Sequence, residues 1–212
     1  MKKRELILTF DKTLLGNIIS EGLHAFADTY ITAELMSDMT IIRPRYTAEP
    51  WDCGTVHPIP YVILYNDIED SIFLYRRGSG VGESRLAGNT SCGIGGHVDV
   101  DQYNIDLPPM AMIQDATNRE INEELGQPIS GKFEFIGTLY DTSNDVGKVH
   151  LGMVAKKTID QEAHPGCNIV TAESELHTIG FVKLSEIDVE CPEYNFENWS
   201  KIAIKFLQSQ SK

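Results

Sequence analysis

The spacing of apolar and polar positions divides the chain into recognisable elements. Glu5 to Phe10 reads as a short strand, and Leu14 to Phe26 carries loose helical periodicity. Ile31 to Tyr46 mixes both signals before Pro44, Pro50 and Pro58 punctuate the pattern. A clear hairpin follows: Tyr61 to Tyr65, a polar turn over Asn66 to Asp70, then Ile72 to Tyr75, ending at Arg76, Arg77 and Gly78. A Gly/Ser-rich loop from Gly78 to Ser91 leads into a short predicted strand that closes at the pair Gly95 and Gly96. Its start, Gly78 to Gly82, lacks the lysine and following helix of a phosphate-binding loop. Beyond it, Asp106 before Pro108 and Pro109 predicts a helix N-cap. The helix runs to Leu125, where Gly126 and Pro128 stop it. Phe133 to Tyr140, His150 to Ala155 and His177 to Val182 read as strands, Leu184 to Ile187 as a short turn or helix, and Asn195 to Leu207 as an amphipathic helix. These patterns predict an α/β chain with residues 1–55 as an N-terminal extension packed on a main domain of residues 56–212.

Composition narrows the class. With 212 residues, 42% hydrophobic and 23% charged, the chain is in the globular range and is long enough for one sizeable core. No apolar run approaches the roughly 20 residues of a membrane span, and the apolar run after Met1 to Arg4 closes at Asp11 and Lys12 without a cleavage pattern. The net charge of −13 opposes neutralising a nucleic-acid backbone, so polymeric nucleic acid is not an expected partner. Cys53, Cys92, Cys167 and Cys191 form no C-x-x-C pair and read as reduced thiols of a cytoplasmic protein.

The chemistry concentrates in Arg119-Glu120-Ile121-Asn122-Glu123-Glu124-Leu125-Gly126. On a helix the three glutamates share an arc of roughly 100°, beside an apolar arc of Met110, Ile113, Thr117, Ile121 and Leu125. Carboxylates this close repel one another unless a cation lies among them. A hard ion, Mg²⁺ or Mn²⁺, resolves the conflict and commonly engages phosphate oxygens as well. Taken alone, the same spacing also describes a solvated acidic helix face.

This arginine-and-glutamate run, preceded by a glycine pair, resembles the signature of the Nudix (MutT-like) hydrolases, G-x5-E-x7-R-E-U-x-E-E-x-G-U with U aliphatic. The resemblance runs from Gly95 to Ile129, is plausible over about residues 60 to 207, and leaves the first 55 residues without a counterpart. It implies an α/β/α sandwich with a mixed sheet, plus the N-terminal extension. It implies Glu120, Glu123 and Glu124 as metal ligands, Arg119 as their orienting partner and Gly96 as the opening glycine. The implied activity is that of a Mg²⁺- or Mn²⁺-dependent pyrophosphohydrolase. Such an enzyme cleaves a phosphoanhydride bond in a small phosphorylated substrate, a nucleoside diphosphate-linked or related diphosphate compound. Two alternatives share the fold: an isopentenyl-diphosphate isomerase-like enzyme, for which Cys92 and His97 lie near the right place, and a catalytically inactive nucleotide-binding module.

The sequence also departs from the signature. Counting from Gly96, its first glutamate falls on Gln102, and sixteen residues instead of seven separate that position from Arg119, an insertion of nine. Asp99, Asp101 or Asp106 is a candidate substitute for the missing carboxylate, and Asp99 falls where many members have glutamate. Glu123 is the first candidate for general base, with Glu173 and Glu175 second. Arg76, Arg77 and Arg85 suit substrate phosphates and equally suit local salt bridges. His97 is read either as a contact to metal or substrate or as a structural histidine. Tyr61, Tyr65, Phe73 and Tyr75 read as core, with a base-stacking platform as the other reading. A homodimer through residues 1–55 is a further expectation from their apolar content.

Overall fold

The computed structural model describes residues 5–16, 18–26, 31–50, 53–78 and 87–210. In chain order its elements are β1 (Leu6–Asp11), α1 (Lys12–Leu15), β2 (Gly22–Ala25), α2 (Ala33–Asp38), β3 (Thr40–Pro44), α3 (Arg45–Ala48), β4 (Thr55–Asn66) and β5 (Ser71–Arg77). There follow β6 (Thr90–Ser91), β7 (Asp99–Val100), α4 (Pro109–Leu125), β8 (Gly131–Tyr140), β9 (His150–Ile159), β10 (Leu176–Lys183) and α5 (Asn198–Gln210). The class is mixed α/β, with a large mixed sheet and few helices. Among the described residues no helix is long and apolar enough to cross a membrane, and all four cysteines are free thiols.

The chain divides into two compact units, each assembled from three stretches. The first comprises Met1–Tyr61, Gly95–Asn118 and Phe135–Val154. In it β1 pairs antiparallel with β3 (Leu8↔Ile42), with the start of β4 (Phe10↔Val56) and with β7 (Leu6↔Val100), while β2 pairs with β8 (Leu23↔Leu139). Leu8, Phe10, Met39, Val56, Val98, Met112, Ile113, Leu151 and Met153 form its core. Burial of such side chains, at roughly 25 cal/mol per Å² of apolar surface, is the main force holding these distant stretches together. The helical periodicity over Leu14 to Phe26 is overridden here. One turn, α1, forms, and Gly22–Ala25 becomes strand β2 because its backbone finds a partner in β8.

The second unit comprises Val62–Ile94, Arg119–Glu134 and Ala155–Lys212. Here the expected hairpin forms, with Tyr65↔Ile72 and Asn66↔Ser71 in register, and β5 also pairs antiparallel with β10 (Phe181↔Phe73) and with β6 (Tyr75↔Ser91). Ile63, Leu64, Ile72, Phe73, Leu74 and Tyr75 are all buried. This near-continuous run marks strands covered on both faces and settles the Phe73 and Tyr75 side chains as core. Tyr61, in the first unit, is buried as well, whereas Tyr65 is half-buried.

Three boundaries differ from expectation. β4 begins at Thr55 and runs through Pro58, which the sequence marks as a break, and through Pro60. The strand predicted before the glycine pair reduces to a single bridge from Ile94 to Val62, while β6 forms at the end of the predicted loop. α4 begins at Pro109, where the carbonyl of Pro108 accepts from the N–H groups of Ala111 and Met112, so Asp106 lies outside the helix. The other end is as expected: Gly126 takes a left-handed φ of +65°, and a Cβ there would meet the Ala172 methyl at 2.7 Å.

Candidate functional site

The second unit holds the helix glutamates. Arg119–Leu125 closes α4 with Ile121 and Leu125 buried, and this fixes the rotation of the last turns. The three glutamates are therefore inequivalent. Glu123 is turned to solvent, with its side chain 52% exposed, and receives Arg119 Nη1 at 3.1 Å. Glu120 is mostly covered and receives Arg119 Nη2 at 2.8 Å. Glu124 is buried, and its Oε2 has no hydrogen-bond partner among the described residues.

An unpartnered carboxylate oxygen in the interior is costly, and the electrostatics show it. Burial raises the Glu124 carboxyl from 4.5 to about 8. The Arg77 guanidinium opposes that rise, and the neighbouring Glu120 and Glu173 carboxylates add to it. The Tyr75 hydroxyl gives its proton to the Gly93 carbonyl at 2.7 Å. Arg77 is anchored by Nε to Glu197 Oε2 at 3.2 Å and lies 5.5 Å over the Tyr75 ring. Ser91 completes that anchor by donating to Glu197 Oε1 at 2.8 Å.

Sequence-predicted residues thus come together around Glu124: Glu120, Glu173 and Arg77 all act on it. The loop carrying Glu173 is tied down where the Ala172 N–H donates to the Glu124 carbonyl at 2.8 Å. Glu175 contributes a backbone link instead, its carbonyl accepting from the Gly78 N–H at 2.6 Å. Arg76 is exposed and donates to the Glu193 carbonyl at 2.6 Å. Cys92 is buried, and its N–H donates to Ser200 Oγ at 3.0 Å. Arg85, and the glycine loop over residues 79–86, lie outside the described residues.

Gly96, His97 and Asp99 belong to the first unit. Gly96 and Asp99 are half-buried, and the Asp99 carbonyl accepts from Asn104 Nδ2 at 2.9 Å. His97 is part of a group that sequence reasoning missed. Its Nε2 lies 3.0 Å from Nδ1 of His57, and the ligand-capable nitrogens of His57, His97 and His150 all fall within 4.8 Å of one another. Burial lowers His57 from 6.5 to about 4, against the upward pull of its hydrogen bond to the Ala48 carbonyl, so the ring is neutral. No local motif announces this cluster, because its members stand 40 or more residues apart in the chain.

Protein YmaB of Bacillus subtilis (strain 168) is 32% identical over 153 residues, which span 71% of this chain and 70% of YmaB. The crystal structure of Tm1382, described as a candidate Nudix hydrolase, matches with a TM-score of 0.73 at 23% identity, over 97% of this chain and 100% of Tm1382. The chain belongs to the YmaB family and has the Nudix fold. A MutT Nudix hydrolase from Burkholderia pseudomallei matches at a TM-score of 0.46 and 20% identity, over 70% of this chain and 95% of that one. No family model matches the chain. Because the Tm1382 likeness covers all but 3% of the YmaB-family chain, it extends over most of the N-terminal residues that lack a counterpart in the Nudix signature. The homodimer expected through residues 1–55 gains no support from these likenesses.

Proposed function

We propose that the chain is a divalent-metal-dependent hydrolase that cleaves a phosphoanhydride bond in a nucleoside diphosphate-linked or related diphosphate compound. The observation that carries this reading is Glu124: a buried carboxylate with one oxygen unpartnered, beside Glu120 and Glu173, on the signature helix of a Nudix fold. An oxygen-only, acidic donor set fits Mg²⁺ or Mn²⁺. Glu120 and Glu124 would hold the ion, and the ion when bound supplies charge neutralisation and polarisation of the diphosphate.

The chain's own groups divide the remaining work. Arg119 bridges Glu120 and Glu123 and holds Glu120 in one orientation. Glu124 surrenders its proton to become an anionic ligand, so its charged form is matched to the loaded site. Glu123, the first candidate for general base, or Glu173, on a loop tied to the helix end, would accept the proton of the attacking water. Arg77, fixed by Glu197, offsets part of the accumulated negative charge.

The test is a screen of nucleoside triphosphates, ADP-ribose, dinucleotides, dinucleoside polyphosphates, nucleotide sugars and isopentenyl diphosphate with Mg²⁺, using product mass spectrometry and Glu124→Gln as control. Metal-dependent scission of a phosphoanhydride bond, reduced at least about a hundredfold by Glu124→Gln, is the expected result. A wild-type rate in that variant, or isomerisation without hydrolysis, refutes the assignment.

A further inference from the structure

The histidine cluster is not explained by the carboxylate chemistry. We infer that His57, His97 and His150 form a second metal site, a three-imidazole centre for a zinc-class transition ion. It is chemically independent of the helix glutamates and goes beyond the function proposed above. Three separate stretches of the first unit deliver the ligands: His57 from β4, His97 from the loop after the glycine pair, and His150 from the first position of β9. Gly95 permits this approach, since a Cβ there would sit 1.8 Å from the Pro60 carbonyl oxygen, three residues beyond His57.

Hydrogen bonding fixes the tautomers of His57 and His150 in the sense a metal needs, whereas His97 Nε2, 3.0 Å from the His57 Nδ1 lone pair, donates there without metal and would give up that proton to become a ligand. His57 Nε2 lies 2.9 Å from the Ala48 carbonyl, and His150 Nδ1 lies 2.6 Å from the Val146 carbonyl. Carbonyl oxygens only accept, so each of these nitrogens carries the proton. The lone pairs are therefore on His57 Nδ1 and His150 Nε2, the other nitrogen of each ring. Metal-bound histidines almost always show this arrangement, in which the distal N–H donates to a carbonyl or carboxylate and orients the ring. The rings do not stack. Their centroids are 5.0, 5.1 and 5.5 Å apart with interplanar angles of 85°, 60° and 72°, a splayed arrangement about a common point.

The donor chemistry selects the ion. Neutral imidazole nitrogens suit Zn²⁺, Co²⁺, Ni²⁺ or Cu²⁺ and are poor ligands for Mg²⁺. Tetrahedral zinc with Zn–N near 2.0–2.1 Å places its nitrogens roughly 3.3 Å apart. The His57 and His97 nitrogens, at 3.0 Å, are already at about that spacing. Among the described residues no carboxylate or thiol joins the three. A three-ligand site of this kind keeps a fourth position for water or an anion.

The experiment uses tag-free, full-length protein stripped with chelator and titrated with Co²⁺ in excess Mg²⁺, which saturates carboxylate sites. Visible absorption is read, and Zn²⁺ is then added in competition. We expect one equivalent of four-coordinate Co²⁺ with intense d–d bands, displaced by Zn²⁺, retained in Glu124→Gln, and weakened at least about tenfold in His97→Gln and His150→Gln. Absence of the bands in wild type, their loss in Glu124→Gln, or their persistence in both histidine variants overturns the site. Should the histidine variants fail to fold, X-ray absorption of the wild-type zinc protein decides: three imidazoles in the inner shell support the inference, and fewer overturn it.

Discussion

The buried Glu124 makes the metal-free protein sensitive to pH in a direction opposite to that of ordinary acidic proteins. Its carboxyl is raised from 4.5 to about 8, chiefly by burial. The folded state therefore holds a proton that the unfolded chain releases over that interval. Stability is full below the unfolded value near 4.5 and is lost as pH rises through about 8. The slope in that window is about 1.4 kcal/mol per pH unit. From pH 6 to pH 8 the loss attributable to this group is therefore on the order of 2 kcal/mol. For a chain of this size that corresponds to a fall in Tm of about 4–8 °C. Thermal melts of chelator-treated wild type and Glu124→Gln across pH 5.5 to 9 measure it directly. Wild type should lose stability over the interval, while the neutral isostere should lack that component. Saturating Mg²⁺ at pH 8 should restore the wild-type Tm, with a proton released on binding that calorimetry in buffers of different ionisation enthalpy detects. The reasoning fails if Glu124→Gln shows the same slope as wild type.

Other consequences are more local. Gly95→Ala drives a Cβ to 1.8 Å from the Pro60 carbonyl oxygen, a backbone atom that cannot swing aside; it should destabilise by about 3 kcal/mol or more in urea titration. Leu151→Ala empties a fully buried position in the core of the first unit and should cost about 2–5 kcal/mol by the same assay. Arg119→Ala removes two ion pairs from a side chain that is 35% exposed. Its stability should change by less than about 1 kcal/mol, while metal-dependent turnover falls because Glu120 loses its orienting partner.

Local patterns in the chain specify local structure. The hairpin of β4 and β5, the end of α4 at Gly126 and the arc shared by Glu120, Glu123 and Glu124 all follow from periodicities within a few residues. These were legible together with the Nudix resemblance, because the arginine and three glutamates of the signature are carried on one helix. Long-range pairing was not legible. Leu14 to Phe26 has a helical pattern, yet its last residues become β2 because β8, more than a hundred residues on, offers backbone partners. Likewise the sequence presents three similar glutamates, and only the packing of the second unit separates the buried Glu124 from the exposed Glu123. His57 and His150 carried no signal at all, since a ligand set drawn from β4 and β9 exists only after the strands are laid side by side. Spacing along a helix is a property of the chain, whereas burial, pKa and the convergence of distant side chains are properties of the tertiary structure, set by which surfaces exclude water.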